Sequence, residues 1–220
     1  MKQGKTSCLD FLWYALYAFA GLGIELVLVG AVEPMLFGGI SANDYNTVQK
    51  VIHLIITIVC WGGIGWVLIR GAKNKLGFDV VGCYEVKKGN VILSMAAVIV
   101  CIILNYFDWK TLKIIGEFQS KEPIVFIFQY IYYFFEVGLV FLIVAFGQKF
   151  MEELLKKKSR IPFGGMVLCC TWGTVHILTR GSIYTGLGVM VFALIYGVIY
   201  ILLNRNARLS FIAMLLAFII

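Results

Sequence analysis

Long runs of nearly uninterrupted apolar residues constrain this chain more than any other feature. A helix rises ~1.5 Å per residue, so about twenty apolar residues match the ~30 Å hydrocarbon layer of a bilayer. The pattern predicts spans over Phe11–Leu36, Val51–Ile69, Val91–Tyr106, Ile124–Phe150, Pro162–Thr179 and Ser182–Leu203. A seventh, Leu209–Ile220, provides only roughly 18 Å of helix, so it either penetrates part way or extends beyond the last residue of this sequence. The expected architecture is an all-α polytopic membrane bundle of about seven transmembrane helices.

Composition supports this. Apolar residues make up 61% of the 220 and charged residues 14%, against ~45–50% and ~25% in ordinary soluble domains. Mean hydropathy is +0.91. A soluble protein of this size has no core large enough to hide that much apolar surface. The first span follows Lys2 and Lys5 without a small-residue cleavage site after a short apolar core, so it reads as a retained helix rather than a signal peptide. Three prolines, no Ser- or Pro-rich tract and no evident repeat predict a single transmembrane domain over residues 1–220.

Lys and Arg in the connecting segments set the expected orientation. With the amino terminus in the cytoplasm, 14 of the 19 basic residues fall inside. The outer five are Lys50, Lys110, Lys113, Lys121 and Arg180. The net charge of +7 then follows from topology and from contact with anionic head groups. No nucleic-acid partner is needed to explain it; the lipid bilayer is the expected partner.

None of the six cysteines falls in an expected outer loop, so free thiols packing as small apolar groups are expected. Cys169 and His176, seven residues apart, share nearly one face of a regular helix but are separated by ~10 Å along its axis. Ligands of one metal sit ~2–2.3 Å from it, so this pair cannot share an ion.

Chemistry is carried by the few ionisable groups at membrane depth, where each charge is costly. They are Glu25 and Glu33 in the first span, His53 in the second, Glu136 in the fourth and His176 in the fifth. Glu33, before Pro34 near the outer end, is expected to reach water. Glu25 is expected to be protonated or paired with a basic group, and His53 to sit at the interface. Glu136 and His176 occupy the middle of antiparallel neighbours and can meet at similar depth. A carboxylate facing an imidazole suits metal binding, water activation or a plain buried hydrogen bond.

Trp172-Gly-Thr-Val-His176 resembles the Phe-x-x-x-His signature of the CAAX-protease and bacteriocin-processing (CPBP, or Abi) intramembrane metalloproteases, with Trp for Phe. The Leu187–Tyr200 stretch and the polar turn Asn204–Leu209 are similar to the family's Gly-rich helix and the turn after it. Glu136, forty residues before His176, falls at the first glutamate of the family's Glu-Glu-x-x-x-Arg motif. The resemblance covers roughly residues 130–220 and implies a bacterial plasma-membrane, multi-pass peptidase of membrane-associated peptides or proteins. It implies Glu136 as base or ligand, His176 as metal ligand, Trp172 in support, and zinc as the metal of an active enzyme.

The departures are equally specific. The second glutamate is Val137, the arginine position is Phe141, and the third motif, His-x-x-x-Asn or Asp, would fall on Leu216 and Ile220. Glu25 or His53 would have to complete a metal site. Glu152-Glu153 mimics the first motif but closes a helix near lysines, as ordinary surface pairs do. The expected function is therefore that of an impaired or non-hydrolytic member of this scaffold. Two alternatives are a peptide-binding or bacteriocin-immunity membrane protein and, less favoured, a small transporter component using Glu25 and Glu136.

Overall fold

The computed structural model describes residues 7–220 and is helical throughout its regular structure. In chain order the helices are α1 Cys8–Leu36, α2 Thr47–Leu76, α3 Lys88–Trp109, α4 Lys113–Ser120, α5 Pro123–Leu155, α6 Phe163–Thr179, α7 Ile183–Leu202 and α8 Ala207–Ile219. Among the described residues, five of these (α1, α2, α3, α5 and α7) are long and apolar enough to cross a membrane. The expected fifth and seventh spans correspond to α6 and α8, which are shorter apolar helices. The eight-residue α4 lies where a polar loop was expected.

Helix α5 is the axis of the bundle. Its most apolar stretch is 67% buried, against 17–33% for the other four membrane-length helices. It packs against α1, α2, α6 and α8, and Val137, Val140, Ile143, Val144, Ala145 and Phe146 are wholly enclosed. The outer helices turn apolar side chains outward, among them Trp13, Trp66, Ile92, Phe107 and Leu178. That inversion of soluble-protein packing is what a lipid-facing surface requires.

Close backbone approach is made possible by glycine at the start of α6. A Cβ on Gly164 would lie 2.1 Å from the Val144 carbonyl oxygen of α5. One on Gly165 would lie 2.7 Å from the Ala193 carbonyl oxygen of α7. Small residues at helix contacts are the usual device where lipid provides no hydrophobic drive for association.

Two helices are interrupted by a single wide turn: Leu28–Val32 in α1 and Cys169–Gly173 in α6. In α1 the Glu33 N–H reaches back five residues to the Leu28 carbonyl, just before Pro34, which has no N–H to donate. The second wide turn lies between Cys169 and His176. It absorbs one residue, so the two no longer share the face that a regular helix would give them. All six cysteines are free thiols.

The 13 residues of α8 rise about 20 Å, and its last carbonyls find donors on neighbouring helices. Asn105 Nδ2 donates to Ala217 O at 3.2 Å, and Lys113 Nζ to Phe218 O at 2.9 Å. The Lys113 backbone N–H donates to Ile220 O at 2.9 Å. Helix α4 thus caps α8.

At the opposite end, Glu152 does not form the surface pair with Lys156 or Lys157 that its sequence context predicts. It is buried, bonds Arg205, accepts from Gln148 Nε2 at 2.9 Å and from the Ser159 N–H at 3.1 Å. Glu153 does form a helix-end pair, with Lys149 one turn earlier.

Candidate functional site

The five polar residues singled out in the spans do not behave alike. Glu33 and Glu25 are eight positions apart, which on a regular helix places them about 80° apart around the axis at ~100° per residue. The wide turn Leu28–Val32 absorbs one residue and brings them to within roughly 20°. Both then address one ring: His53 Nδ1–H donates to Glu33 Oε1 at 2.7 Å, and His53 Nε2 stands 3.4 Å from Glu25 Oε1. Glu33 is fully buried and does not reach water, and His53 is held between the two carboxylates. The partner of Glu25 is this imidazole together with Tyr132, whose hydroxyl donates to Glu25 Oε2 at 2.8 Å.

The neighbouring Tyr133 hydroxyl donates to Glu117 Oε1 of α4 at 2.6 Å. Successive residues point about 100° apart, so the tyrosine pair reaches carboxylates on two different walls. Glu136 lies three and four positions farther along α5, on the same side of the helix as both tyrosines. Glu117 is buried and also receives Lys121 Nζ at 2.9 Å. Lys113, expected as an outer-loop charge, is buried over the rings of Tyr133 and Phe218, 4.5 and 4.0 Å from their centroids. That burial lowers its pKa below the ordinary lysine value, against the pull of the Glu117 and Glu136 carboxylates.

His176 is positioned by its own helix. Its Nδ1 lies 2.8 Å from the Trp172 carbonyl, which can only accept, so Nδ1 carries a proton and any further chemistry falls to Nε2. The two rings meet edge to face with centroids 4.8 Å apart. The four-residue spacing of Trp172 and His176 therefore has a direct structural role.

Glu136, His176, Trp172, Glu25 and His53 all line one cavity of about 930 Å³, together with Lys113, Glu117, Tyr132 and Tyr133. The lining holds five carboxylates (Glu25, Asp108, Glu117, Glu122 and Glu136) against three lysines (Lys50, Lys113 and Lys121). This is a polar, aromatic-walled chamber with an acidic excess. Val137 and Leu216, where the resembled family has a glutamate and a histidine, do not line it.

A catalytic zinc takes three protein ligands and keeps one open position. Among the described residues no group of three His, Cys, Asp or Glu side chains comes together to hold a metal. Glu136 and His176 provide two donors at most. Glu25 and His53, which would have to complete the set, are committed to Tyr132 and Glu33. The residues present do not fit a catalytic zinc.

Glu117, Lys113 and the tyrosine pair lay outside the sequence candidates. Lys113, Glu117 and Lys121 recur every four residues, the spacing of one helix face, and that signal marks α4. Glu33 is marked by its charge, but its burial against His53 is not, because that depends on the wide turn that redirects it. No protein-family model, no curated protein and no solved structure matches this chain.

Proposed function

We propose that this is a multi-pass protein of the cell membrane, on a scaffold resembling the CPBP intramembrane proteases, that binds a membrane-associated peptide without hydrolysing it. Its amino terminus is cytoplasmic, and α6 and α8 complete a seven-helix bundle. The observation that supports this most is the shared cavity: Glu136, His176 and Trp172 line it, yet no third metal donor converges with them. The acidic excess and the tyrosine and tryptophan faces favour a ligand with a basic stretch, through charge pairing and cation–π contact.

The test uses the purified full chain in lipid nanodiscs with a fluorescent basic amphipathic peptide and an acidic counterpart. The basic peptide is expected to bind one per chain and to stay intact in mass spectra. Glu136→Gln weakens it about tenfold, the loss of roughly one good charge-assisted contact. Stoichiometric zinc in the protein, or peptide cleavage abolished by Glu136→Gln, overturns the reading.

One observation favours a second reading. Glu25 and His53 line this cavity and His53 continues to the buried Glu33, a row of titratable groups from two helices, and such rows carry protons or cations in transporters. Cation or proton flux in proteoliposomes that is lost on His53→Ala would replace peptide binding with transport.

A further inference from the structure

The opposite end of the bundle carries a second cleft, of about 680 Å³, that plays no part in the chamber around Glu136. Three pieces of chain form it: the start of α3, the loop between α5 and α6, and the end of α7. Side-chain-to-backbone bonds hold these pieces together. Arg205 Nη2 donates to Ser159 O at 2.8 Å, and Asn204 Nδ2 to Glu85 O at 2.9 Å. Asn204 and Arg205 both adopt left-handed backbone, with φ of 52° and 62°. Two adjacent non-glycine residues rarely do so unless their surroundings enforce it.

The rim of the cleft is basic. Lys87, Lys158 and Arg160 line it, are solvent-exposed, and form no ion pair among the described residues. Arg205 lies deeper, tied to Glu152, with its Nε buried and lacking an acceptor. Glu85 is the single carboxylate in the lining. Helix α3 begins here with Lys87 as its N-cap and no side-chain cap, so its positive end faces the cleft. The floor is different in kind: Val198, Ile201 and Leu202 of the membrane-length helix α7.

We propose that this cleft binds one anionic phospholipid. The head-group phosphate sits among Lys87, Lys158 and Arg160 at the uncapped start of α3, and an acyl chain runs along Val198, Ile201 and Leu202. A free phosphate ion would use only the rim. The apolar floor, continuous with a helix that faces lipid, is what commits the site to a phospholipid. Basic pockets between membrane helices hold anionic head groups by these contacts.

The test is native mass spectrometry and thermal melting of the full chain in detergent, with added phosphatidylglycerol, phosphatidylcholine or inorganic phosphate. One phosphatidylglycerol per chain is expected to be retained and to raise Tm, with phosphatidylcholine at least about tenfold weaker. The triple variant Lys87→Gln, Lys158→Gln, Arg160→Gln loses this retention. A triple of equal charge change on α2, Arg70→Gln, Lys73→Gln, Lys75→Gln, keeps it. Ile201→Trp, which leaves every rim charge in place, fills the floor and also lowers phosphatidylglycerol retention. Equal retention of the two lipids, equal loss in both triples, or full competition by inorganic phosphate overturns the assignment.

Discussion

His53 and Glu33, twenty residues apart, meet at 2.7 Å through a hydrogen bond whose acceptor carboxylate is entirely shielded from solvent. Removing one partner strands the other, whereas removing both need not. Glu33→Leu and His53→Leu alone are therefore each expected to cost ~3–5 kcal/mol, and the double variant clearly less than their sum. Unfolding in mixed micelles, read by tryptophan fluorescence, checks the cycle. Simple additivity of the single variants would show that the pair is not coupled.

The contact between α6 and α5 leaves no room at Gly164, where an added methyl carbon would lie 2.1 Å from the Val144 oxygen. Gly164→Ala is expected to force the helices apart, costing ~2 kcal/mol or more and lowering the yield of monodisperse protein. Gly188 on α7 has open space at the same position. Gly188→Ala is expected to be neutral or stabilising by up to ~1 kcal/mol through helix propensity. The two variants differ in setting and not in chemistry, so comparable melting temperatures would count against the packing described.

The parts legible in the sequence were those governed by length and period. Apolar runs of bilayer length locate α1, α2, α3, α5 and α7, and the cost of charge at depth singles out Glu136 and His176, which share a cavity. What escaped was set by tertiary geometry. Glu33 beside Pro34 looks like a helix end open to water, but a wide turn five residues long rotates it onto His53. Lys113 and Glu117 look like solvated loop charges because an eight-residue segment between two spans has no long-range signal of burial. They become interior only when the end of α8 needs capping and Tyr133 needs an acceptor.

That cap gives Lys113 a distinctive pH response. Its pKa is lowered in the folded protein by burial, while the unfolded chain keeps the ordinary value of ~10.4. Between the two values the unfolded state holds more protons, so stability attributable to Lys113 rises with pH there and is flat below the folded value. The neutral amine still donates to Phe218 O. The melting-temperature advantage of the native protein over Lys113→Met is expected to widen as pH climbs toward 10. Loss of the bond to the part-buried Phe218 carbonyl sets a baseline deficit of about 1 kcal/mol for the variant. An advantage that shrinks with pH would show that the charge, not the hydrogen bond, is what α8 requires.

Completing the resembled motifs tests whether missing residues alone prevent metal chemistry. Val137 is wholly enclosed and Leu216 packs against the core, and neither lines the chamber that holds Glu136 and His176. Val137→Glu places a carboxylate among apolar side chains, at a cost of several kcal/mol, and adds no donor to that chamber. Leu216→His likewise adds an imidazole on the core side of α8. Neither variant, nor the two combined, is expected to bind stoichiometric zinc or to cleave a membrane peptide, and Val137→Glu is expected to lower Tm sharply. Elemental analysis and peptide mass spectrometry on the folded fraction decide the matter. A gain of one zinc per chain in the double variant would mean that α5 and α8 turn these positions toward His176, and that the fold needs only two substitutions to assemble a metal site.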